Sequence, residues 1–406
     1  MVGLGMVFRL ICWIGLTLLA CPDSMSGQSI GDSGEFTVGW RDINFRDTHY
    51  NRSRVYGRIY YPAVTAGRST QADPSSGPYP VVGFMHGNPG RARDHDEICT
   101  HVASHGFLVA SIDSSNAPSA MECQTFLHWA EAQSADPAHW LNNMARSGDW
   151  AVFGHSAGGM TLAPLTDLEP RIRTIIGVAP GGTGGGGASQ IADFDGTSVW
   201  LGGAVDPLFP YARGWYDLCL SSERNLYVEI PDTGHYGCVD LDEGPDQDPM
   251  SRVEQHRIHR RLITSVLRAE MMNQDSDYEW IVGSFVNANE VWMQEHSFVR
   301  PVLWGGLALN STRMEMGLLS QEAAEYVCVG SRSLGNSSTP FGNSGLDLSQ
   351  GREIQAGVFH SSGEANWPQF FSSSLSGVTV YAQAACYFWG QAPTGALTNV
   401  LTVQIP

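Results

Sequence analysis

The chain has 406 residues, more than most single domains hold, and its hydrophobic content of 42% is enough for a sizeable core. Acidic residues outnumber basic ones by 41 to 23, so no basic face for a nucleic-acid partner is expected, and we interpret the acidity as an aid to solubility. All 23 basic residues are arginine, and the absence of lysine excludes Schiff-base chemistry, a Ser–Lys dyad and a phosphate-loop lysine.

The N-terminus predicts export. Arg9 is the only charge before an apolar run from Leu10 to Ala20, and a membrane-spanning helix needs about 20 apolar residues. We interpret residues 1–20 as a signal peptide, with a short buried helix as the alternative. The letters "LLAC" resemble a bacterial lipobox, which makes Cys21 a candidate for a lipid anchor. The predicted location is therefore secreted, periplasmic or on the cell surface, with lipidation and free secretion both left open.

Six cysteines follow Cys21, and an even set in an exported chain favours disulfide bonds. Six cysteines allow 15 pairings, of which pairing in chain order is the simplest. That hypothesis joins Cys99 to Cys123, Cys219 to Cys238 and Cys328 to Cys386. No C-x-x-C pair occurs, so no structural zinc site is expected.

Strand and helix patterns alternate between residues 30 and 271. Two β-rich runs, "EFTVGWRDINF" and "RVYGRIYYPA", come first. Buried strand patterns follow at 81–87, 107–113, 150–154, 172–180, 197–207 and 225–235. Helical patterns between and after them include "ICTHVASHG", "TFLHWAEAQ", "HWLNNMARS", "MTLAPLTDL" and the long amphipathic run 251–271. This alternation predicts an α/β domain with a largely parallel sheet and helices on both faces.

Residues 279–406 differ in composition from the preceding part of the chain: they are rich in Ser, Gly and Asn and contain alternating runs such as "VTVYAQAACYFW". They predict a separate β-rich accessory domain, with a sandwich as the expected form, after a linker near 272–277. A surface or a carbohydrate is the partner hypothesis for this domain, and exposed aromatic residues such as Trp367 or Trp389 would favour carbohydrate.

The stretch "AVFGHSAGGM" carries the strongest chemical signal. Ser156 stands in a G-x-S-x-G pattern after a predicted strand and before a predicted helix, which is the setting of a nucleophile elbow. Glycines at 154 and 158 allow the tight turn. Without lysine in the chain, a nucleophilic Ser156 would need histidine as its base.

An acid and a base follow in the order that such a serine requires. Asp206 ends the fifth buried strand, and His235 lies on the loop after the sixth. We expect His235 to take the serine proton and Asp206 to orient the imidazole. Asp232 shares the loop of the histidine, and Asp193 and Asp195 precede the fifth strand at its wrong end. The side chain of His155 should point away from that of Ser156.

The predicted oxyanion donors are the backbone N–H of Ala157 and a second group from the loop after "FMHGNPG", for which Asn88 is the candidate. No cofactor and no metal site are expected. His256 and His259 lie one turn apart on the last helix, and without a third ligand we expect them on an exposed face.

The motifs "YGRIYYP", "VVGFMHG", "VASHGFLVASID", "VFGHSAGG", "GAVDPLFP" and "PDTGHYG" resemble the α/β-hydrolase superfamily over residues 35–271. Within it, the likeness is to the polyester hydrolase/cutinase-like and dienelactone-hydrolase-like group. The resemblance implies carboxylic ester hydrolysis through an acyl-enzyme without a cofactor. This chain departs from the polyester hydrolases at three positions. They usually carry an aromatic residue where Asn88 stands here and a methionine where Ala157 stands. They also carry a tryptophan where this chain has the glycine run 181–187.

The preferred interpretation is a secreted serine esterase that acts on a small or polymeric ester. Two alternatives remain open. A lipase or acetylhydrolase would share the same triad, and a surface-binding protein would use the same fold as a scaffold without catalysis.

Overall fold

A computed structural model of the chain describes residues 30–48, 50, 54–114, 116, 118–183, 187–206, 209–240, 248–282, 293–298, 302–310, 313–320, 323–359, 364–370, 375–376, 378–388 and 395–405. The predicted signal peptide 1–20 and the lipidation candidate Cys21 lie outside these residues, as does Trp389. Among the described residues, no helix is both long enough and apolar enough to cross a membrane.

A ten-stranded sheet forms the centre of the first part of the chain, in the order β10-β9-β8-β7-β6-β4-β5-β2-β1-β3. The six inner strands β9, β8, β7, β6, β4 and β5 are mutually parallel, whereas β2 and β10 join them antiparallel. The six buried strands predicted from the apolar runs are thereby confirmed. The strands are β1 Val38–Phe45, β2 Val55–Pro62, β3 Gly67–Arg68, β4 Val81–Met85, β5 Leu108–Ile112, β6 Trp150–His155, β7 Ile172–Val178, β8 Thr197–Gly203, β9 Arg224–Ile230 and β10 Met293–Phe298.

Helices cover both faces of this sheet because each parallel crossover returns the chain over one face. One buried cluster joins α1 and α7 to residues such as Val82 and Phe84 of β4, and a second joins α2 and α4 to Val81 and Met85 of the same strand. Alternate residues of one strand thus enter different cores, as the period of two requires. The helices are α1 Asp96–Ser104, α2 Ala120–Ala135, α3 Ala157–Met160, α4 Leu162–Leu168, α5 Gly187–Ile191, α6 Phe209–Leu218, α7 Arg252–Met272 and α8 Glu279–Val282, with 3-10 turns at Ala92–His95 and Asp275–Tyr278.

The helix predicted for "HWLNNMARS" is wrong, because residues 139–144 form successive turns. Three backbone bonds of the i to i+3 type run through this segment, and Asn143 has a φ of 59°. Asparagine tolerates this left-handed backbone and is a weak helix former, which explains why the helical spacing of apolar residues does not decide the structure here.

None of the three predicted disulfides is present, and two of the pairs lie too far apart to form. Cys99 and Cys238 lie in the cluster beneath α1 and α7, whereas Cys123 and Cys219 lie in the cluster on the opposite face. The sheet therefore separates the members of these two predicted pairs. All six described cysteines are buried free thiols, Cys328 and Cys386 included.

The rest of the chain forms a separate antiparallel β-rich region, as predicted in its coarse form. It contains a sheet β11-β12-β17, a sheet β16-β13-β18-β19 with β20 also on β18, and the hairpin β14-β15. Side chains from the first two sheets share one apolar core. The strands are β11 Val302–Asn310, β12 Arg313–Leu319, β13 Ala323–Ser331, β14 Leu334–Thr339, β15 Gly342–Leu346, β16 Arg352–Val358, β17 Glu364–Phe370, β18 Thr379–Phe388, β19 Gly395–Leu397 and β20 Leu401–Gln404.

The strand β10 connects the two parts in an unexpected way. The composition of the sequence predicts that all of residues 279–406 belong to the β-rich accessory domain. In the structure, residues 293–298 pair antiparallel with the first six residues of β9, from Met293 beside Glu229 to Phe298 beside Arg224. The first strand after the linker thus belongs to the central sheet.

Candidate active site

Ser156 occupies a strained turn between β6 and α3. Its φ of 53° and ψ of −117° lie in a region that non-glycine residues rarely adopt. The turn is held by main-chain bonds, since Ser156 N–H donates to Val178 O at 3.0 Å and the Ser156 carbonyl accepts from Met160 N at 3.2 Å and from Gly181 N at 3.0 Å. Such a turn points the hydroxyl outward from the carboxyl edge of the parallel strands.

Close backbone packing explains why glycine stands on both sides of Ser156. A Cβ on Gly154 would lie 2.6 Å from the carbonyl carbon and oxygen of Gly158. A Cβ on Gly158 would lie 2.1 Å from the carbonyl oxygen of Met85, at the end of β4. Any larger residue at these positions would displace the turn from its two neighbouring strand ends.

Asp206 and His235 reach Ser156 from the loops that follow β8 and β9, on the far side of β7. The loop after β8 forms a tight turn, in which Asp206 N–H donates to Gly203 O at 3.1 Å. The loop after β9 contacts this turn, because Val205 N–H donates to Thr233 O at 3.2 Å. These two main-chain bonds hold the acid and the histidine side by side.

The three side chains form a continuous hydrogen-bond chain. His235 Nδ1 lies 2.9 Å from Asp206 Oδ2, and His235 Nε2 lies 2.9 Å from Ser156 Oγ. The Asp206 side chain is fully buried and that of His235 is 9% exposed. Since a carboxylate only accepts, the pairing favours a proton on Nδ1 and leaves the Nε2 lone pair to accept the serine proton.

The rival acids lie elsewhere. Asp232 is exposed on the histidine loop with a φ of 54°, and Asp193 is also exposed. Asp195 is paired with Arg173 at the opposite end of β8. Position in the sheet therefore separates Asp206 from the other carboxylates that the sequence offered.

The predicted oxyanion donors fall on the two segments that face Ser156. Ala157 is the first residue of α3, so its N–H has no acceptor four residues back within that helix. Gly87 touches the serine from the other side, because a Cβ there would lie 3.0 Å from Ser156 Cβ. Asn88 follows directly and is exposed. The assignment of Asn88 and Ala157 stays a prediction.

The sequence analysis missed the part that His155 has in this site. Its side chain is buried, and Nε2 lies 2.9 Å from the backbone oxygen of His235. That oxygen only accepts, so Nε2 carries a proton and donates it. Burial, followed by the neighbouring His95 and His235, holds the pKa of His155 well below its usual value. A neutral His155 thus fixes the main chain of the histidine loop.

A second buried histidine stands behind the first. His95 Nε2 lies 3.4 Å from His155 Nδ1, and burial lowers the pKa of His95 to about 3. No spacing in the sequence could have indicated this contact, because the two residues come together only when β6 packs beside the turn that precedes α1.

The expectation that His256 and His259 lie on an exposed face is wrong, since both are buried. His256 Nδ1 lies 2.6 Å from Glu97 Oε2 and its Nε2 lies 3.0 Å from Val239 O, while His259 Nδ1 contacts Gln255 O at 2.8 Å. Glu97, Asp240 and His256 offer clustered ligand atoms, but both His256 nitrogens already have partners. His95, His155 and Cys238 form a second, fully buried group of this kind.

The described part of the glycine run borders the site on the side of α6. Gly181 N–H bonds the Ser156 carbonyl, and the Gly181 carbonyl accepts from Trp215 Nε1 at 2.8 Å. A Cβ on Gly182 would lie 3.5 Å from the ring of Tyr211, which is 39% exposed. Tyr211 was missed by the sequence analysis, and it places an aromatic ring at the rim where no aromatic residue was expected.

The β-rich region offers a different kind of cavity. An open cleft of about 600 Å³ lies among β13, β16, β17 and β18, with Phe370 on its wall at 64% exposure. Trp367, the aromatic candidate for carbohydrate binding, is 6% exposed and packs in the core. The exposed aromatic residue of this cleft is therefore not the one that the sequence suggested.

No protein-family model matches the chain, and no curated protein is found to be similar to it. The geometry of Ser156, His235 and Asp206 is therefore the main support for any assignment of function.

Proposed function

We propose that the chain is a serine carboxylic-ester hydrolase with the α/β-hydrolase fold. The observation that carries this proposal is the chain of two 2.9 Å contacts from Ser156 Oγ through His235 to Asp206, built on a strained turn at the carboxyl edge of a parallel sheet. Nucleophile, base and acid follow the chain order and strand positions of that fold.

The reaction begins when His235 Nε2 takes the proton of Ser156 as the hydroxyl oxygen attacks the ester carbonyl. The oxyanion accepts hydrogen bonds from the N–H groups of Ala157 and Asn88. His235 then gives its proton to the leaving alcohol, and an acyl-enzyme remains on Ser156. Water, deprotonated by the same histidine, attacks the acyl-enzyme and releases the acid. Asp206 keeps the imidazole in one tautomer and stabilises its charged form.

The substrate is proposed to be a small or polymeric carboxylic ester. Gly182 lies against the exposed ring of Tyr211, which offers an aromatic surface to the acyl or alcohol group. A lipid ester would use the same triad and requires a longer apolar trough. The β-rich region is proposed to be a sandwich that contacts a surface or a carbohydrate, with the cleft beside Phe370 as its candidate site.

Export is proposed from the N-terminal pattern alone. Mass spectrometry of the mature chain from a bacterial host tests it: cleavage beside Cys21 with an added lipid mass supports the anchor, and cleavage without a lipid supports free secretion. Retention of residues 1–20 would contradict export.

A fluorophosphonate probe tests the proposed nucleophile directly. We expect native protein to be labelled at Ser156, and Ser156→Ala to remain unlabelled. Ser221→Ala, which changes an exposed serine in the turn before β9, is the matched control and should label normally. An absence of label on native protein, or label that persists in Ser156→Ala, would support the scaffold alternative and overturn the enzyme proposal.

Esters of p-nitrophenol with rising acyl length then test the substrate class. Because the described rim offers the exposed ring of Tyr211 as its aromatic contact, we expect kcat/KM to be highest for short acyl chains. Highest activity on long chains, with a further increase on emulsified lipid, would instead indicate a lipase.

A further inference from the structure

Three potential metal ligands meet behind the histidine loop, outside the reacting atoms. His95, His155 and Cys238 each offer one ligand atom, and these atoms all lie within 4.8 Å of one another. The three residues are 2%, 3% and 3% exposed. They come from three separate elements: the turn before α1, the end of β6 and the loop after His235.

The two imidazoles already have the spacing of ligands that share an ion. His95 Nε2 and His155 Nδ1 are 3.4 Å apart. Two nitrogen ligands, each about 2.0–2.1 Å from one metal at a tetrahedral or trigonal angle, lie about 3.3–3.6 Å apart. Their separation is long for a hydrogen bond and fits a shared ion.

The hydrogen bonds fix the lone pair that such an ion needs. His155 donates Nε2–H to the backbone oxygen of His235 at 2.9 Å, so its neutral ring carries the lone pair on Nδ1, which faces His95. His95 Nδ1 is buried without a partner at normal hydrogen-bond geometry, and the backbone of Arg91 is close enough to act as an acceptor for the ring. The proton of a neutral His95 can therefore reside on Nδ1, which leaves Nε2 free to bind the metal.

The donor set selects a soft ion of low charge. Two neutral imidazoles and one thiolate carry a total charge of −1, so a monovalent ion makes a neutral unit in a buried setting, whereas a divalent ion leaves a net positive charge. Two histidines with one cysteine in a trigonal arrangement is a ligand set characteristic of copper, and zinc prefers four ligands.

We propose that His95, His155 and Cys238 form a binding site for a single Cu(I) ion. On binding, the Cys238 thiol loses its proton to solvent, the sulfur and the two nitrogens each give a lone pair to the ion, and no electron is transferred. The ion ties the histidine loop to β6 and to the turn before α1. The site does not depend on whether Ser156 acts as a nucleophile.

Anaerobic titration of the full chain with Cu(I), buffered by a competing chelator, tests the proposal. We expect one copper per chain, and an X-ray absorption spectrum with one sulfur and two nitrogen neighbours. A spectrum without sulfur, the absence of retained copper, or tighter binding of Zn(II) than of Cu(I) would overturn it. This spectrum is measured on unaltered protein, so it is informative even if a variant fails to fold.

Variants locate the ion. Cys238→Ala and His95→Phe should each weaken copper binding by more than about 100-fold. Loss of a residue that only hydrogen-bonds to a metal ligand already lowers metal affinity about 10–100-fold, and loss of a ligand should cost more. Cys123→Ala is the matched control, because that thiol is equally buried but lies on the opposite face of the sheet, and it should bind as the native chain does. Native copper affinity in Cys238→Ala would contradict the site, as would loss of copper on replacement of Cys123.

Discussion

Gly158→Ala examines how closely the nucleophile turn packs against the loop after β4. The added Cβ would lie 2.1 Å from Met85 O and 2.7 Å from His86 O, where real Cβ contacts stay beyond 3.0 Å. The turn and the β4 end must therefore separate by roughly 1 Å. Met85 O belongs to a central strand, so the strain falls on backbone and not on a flexible side chain.

The displacement sets two magnitudes. Overpacking of this size costs about 1–3 kcal/mol of unfolding free energy. A shift of roughly 1 Å between the turn and the segment that carries Asn88 should reduce kcat/KM on a p-nitrophenyl ester about 100-fold, because the second oxyanion donor no longer meets the developing charge.

Urea unfolding, the rate of fluorophosphonate labelling and ester hydrolysis measure these effects. Gly214→Ala, within α6, is the matched control. Its added Cβ would lie 3.6 Å from Thr183 Cγ2, an ordinary contact, and alanine should stabilise the helix by up to about 1 kcal/mol. A Gly158→Ala protein with native stability and a native labelling rate would refute the packing argument. Lower stability with unchanged labelling would refute only the link to the oxyanion donors.

Further predictions concern the acid, the buried charges and pH. Asp206→Asn should lower kcat/KM about 10⁴-fold while Asp195→Asn leaves it unchanged, and a loss below tenfold in Asp206→Asn would contradict the assigned role. Glu270→Ala should cost about 3 kcal/mol in urea unfolding, because it removes one of the two carboxylates, those of Glu270 and Asp275, that pair with the buried guanidinium of Arg224. Stability should also fall as pH falls from about 6.5 to about 4.5, by at least about 1.4 kcal/mol per pH unit, because buried histidines stay neutral in the folded chain and bind protons when it unfolds. Asp240, whose pKa is raised to about 6, binds a proton in the folded chain and offsets part of this loss. A stability that does not change between about pH 6.5 and about pH 4.5 would contradict the prediction. The histidines with lowered pKa values are His95 and His101, at about 3, and His105 and His259, at about 4.

The strands and the triad candidates could be predicted because each depends on local pattern. Six short apolar runs followed by turn residues predict the six parallel strands, and a serine between glycines after such a run has few other structural uses. Asp206 and His235 follow from the same logic, since both stand immediately after a strand and side chains there share one sheet edge.

The remaining features depend on which face of the sheet each segment packs against. Cys99 and Cys123 are near in sequence, but α1 and α2 lie on opposite faces, and nothing local in the letters specifies that. His95 contacts His155 across 60 positions, and the pairing of β10 with β9 joins segments on either side of α7. At Asn143 the local pattern itself is misleading: the apolar residues have helical spacing, but the left-handed backbone of Asn143 prevents a helix there.

The position of β10 has a consequence for any shortened form of the chain. With β10 removed, the edge of β9 that faces away from β8 would present unpaired N–H and C=O groups from Arg224 to Glu229, and this strand is buried along its length. An uncovered hydrophobic strand of this kind is a template for pairing with another chain, so a fragment cut at 272–277 should self-associate. A fragment that ends after residue 298 keeps β10, which covers the outer edge of β9 in the sheet that holds the triad.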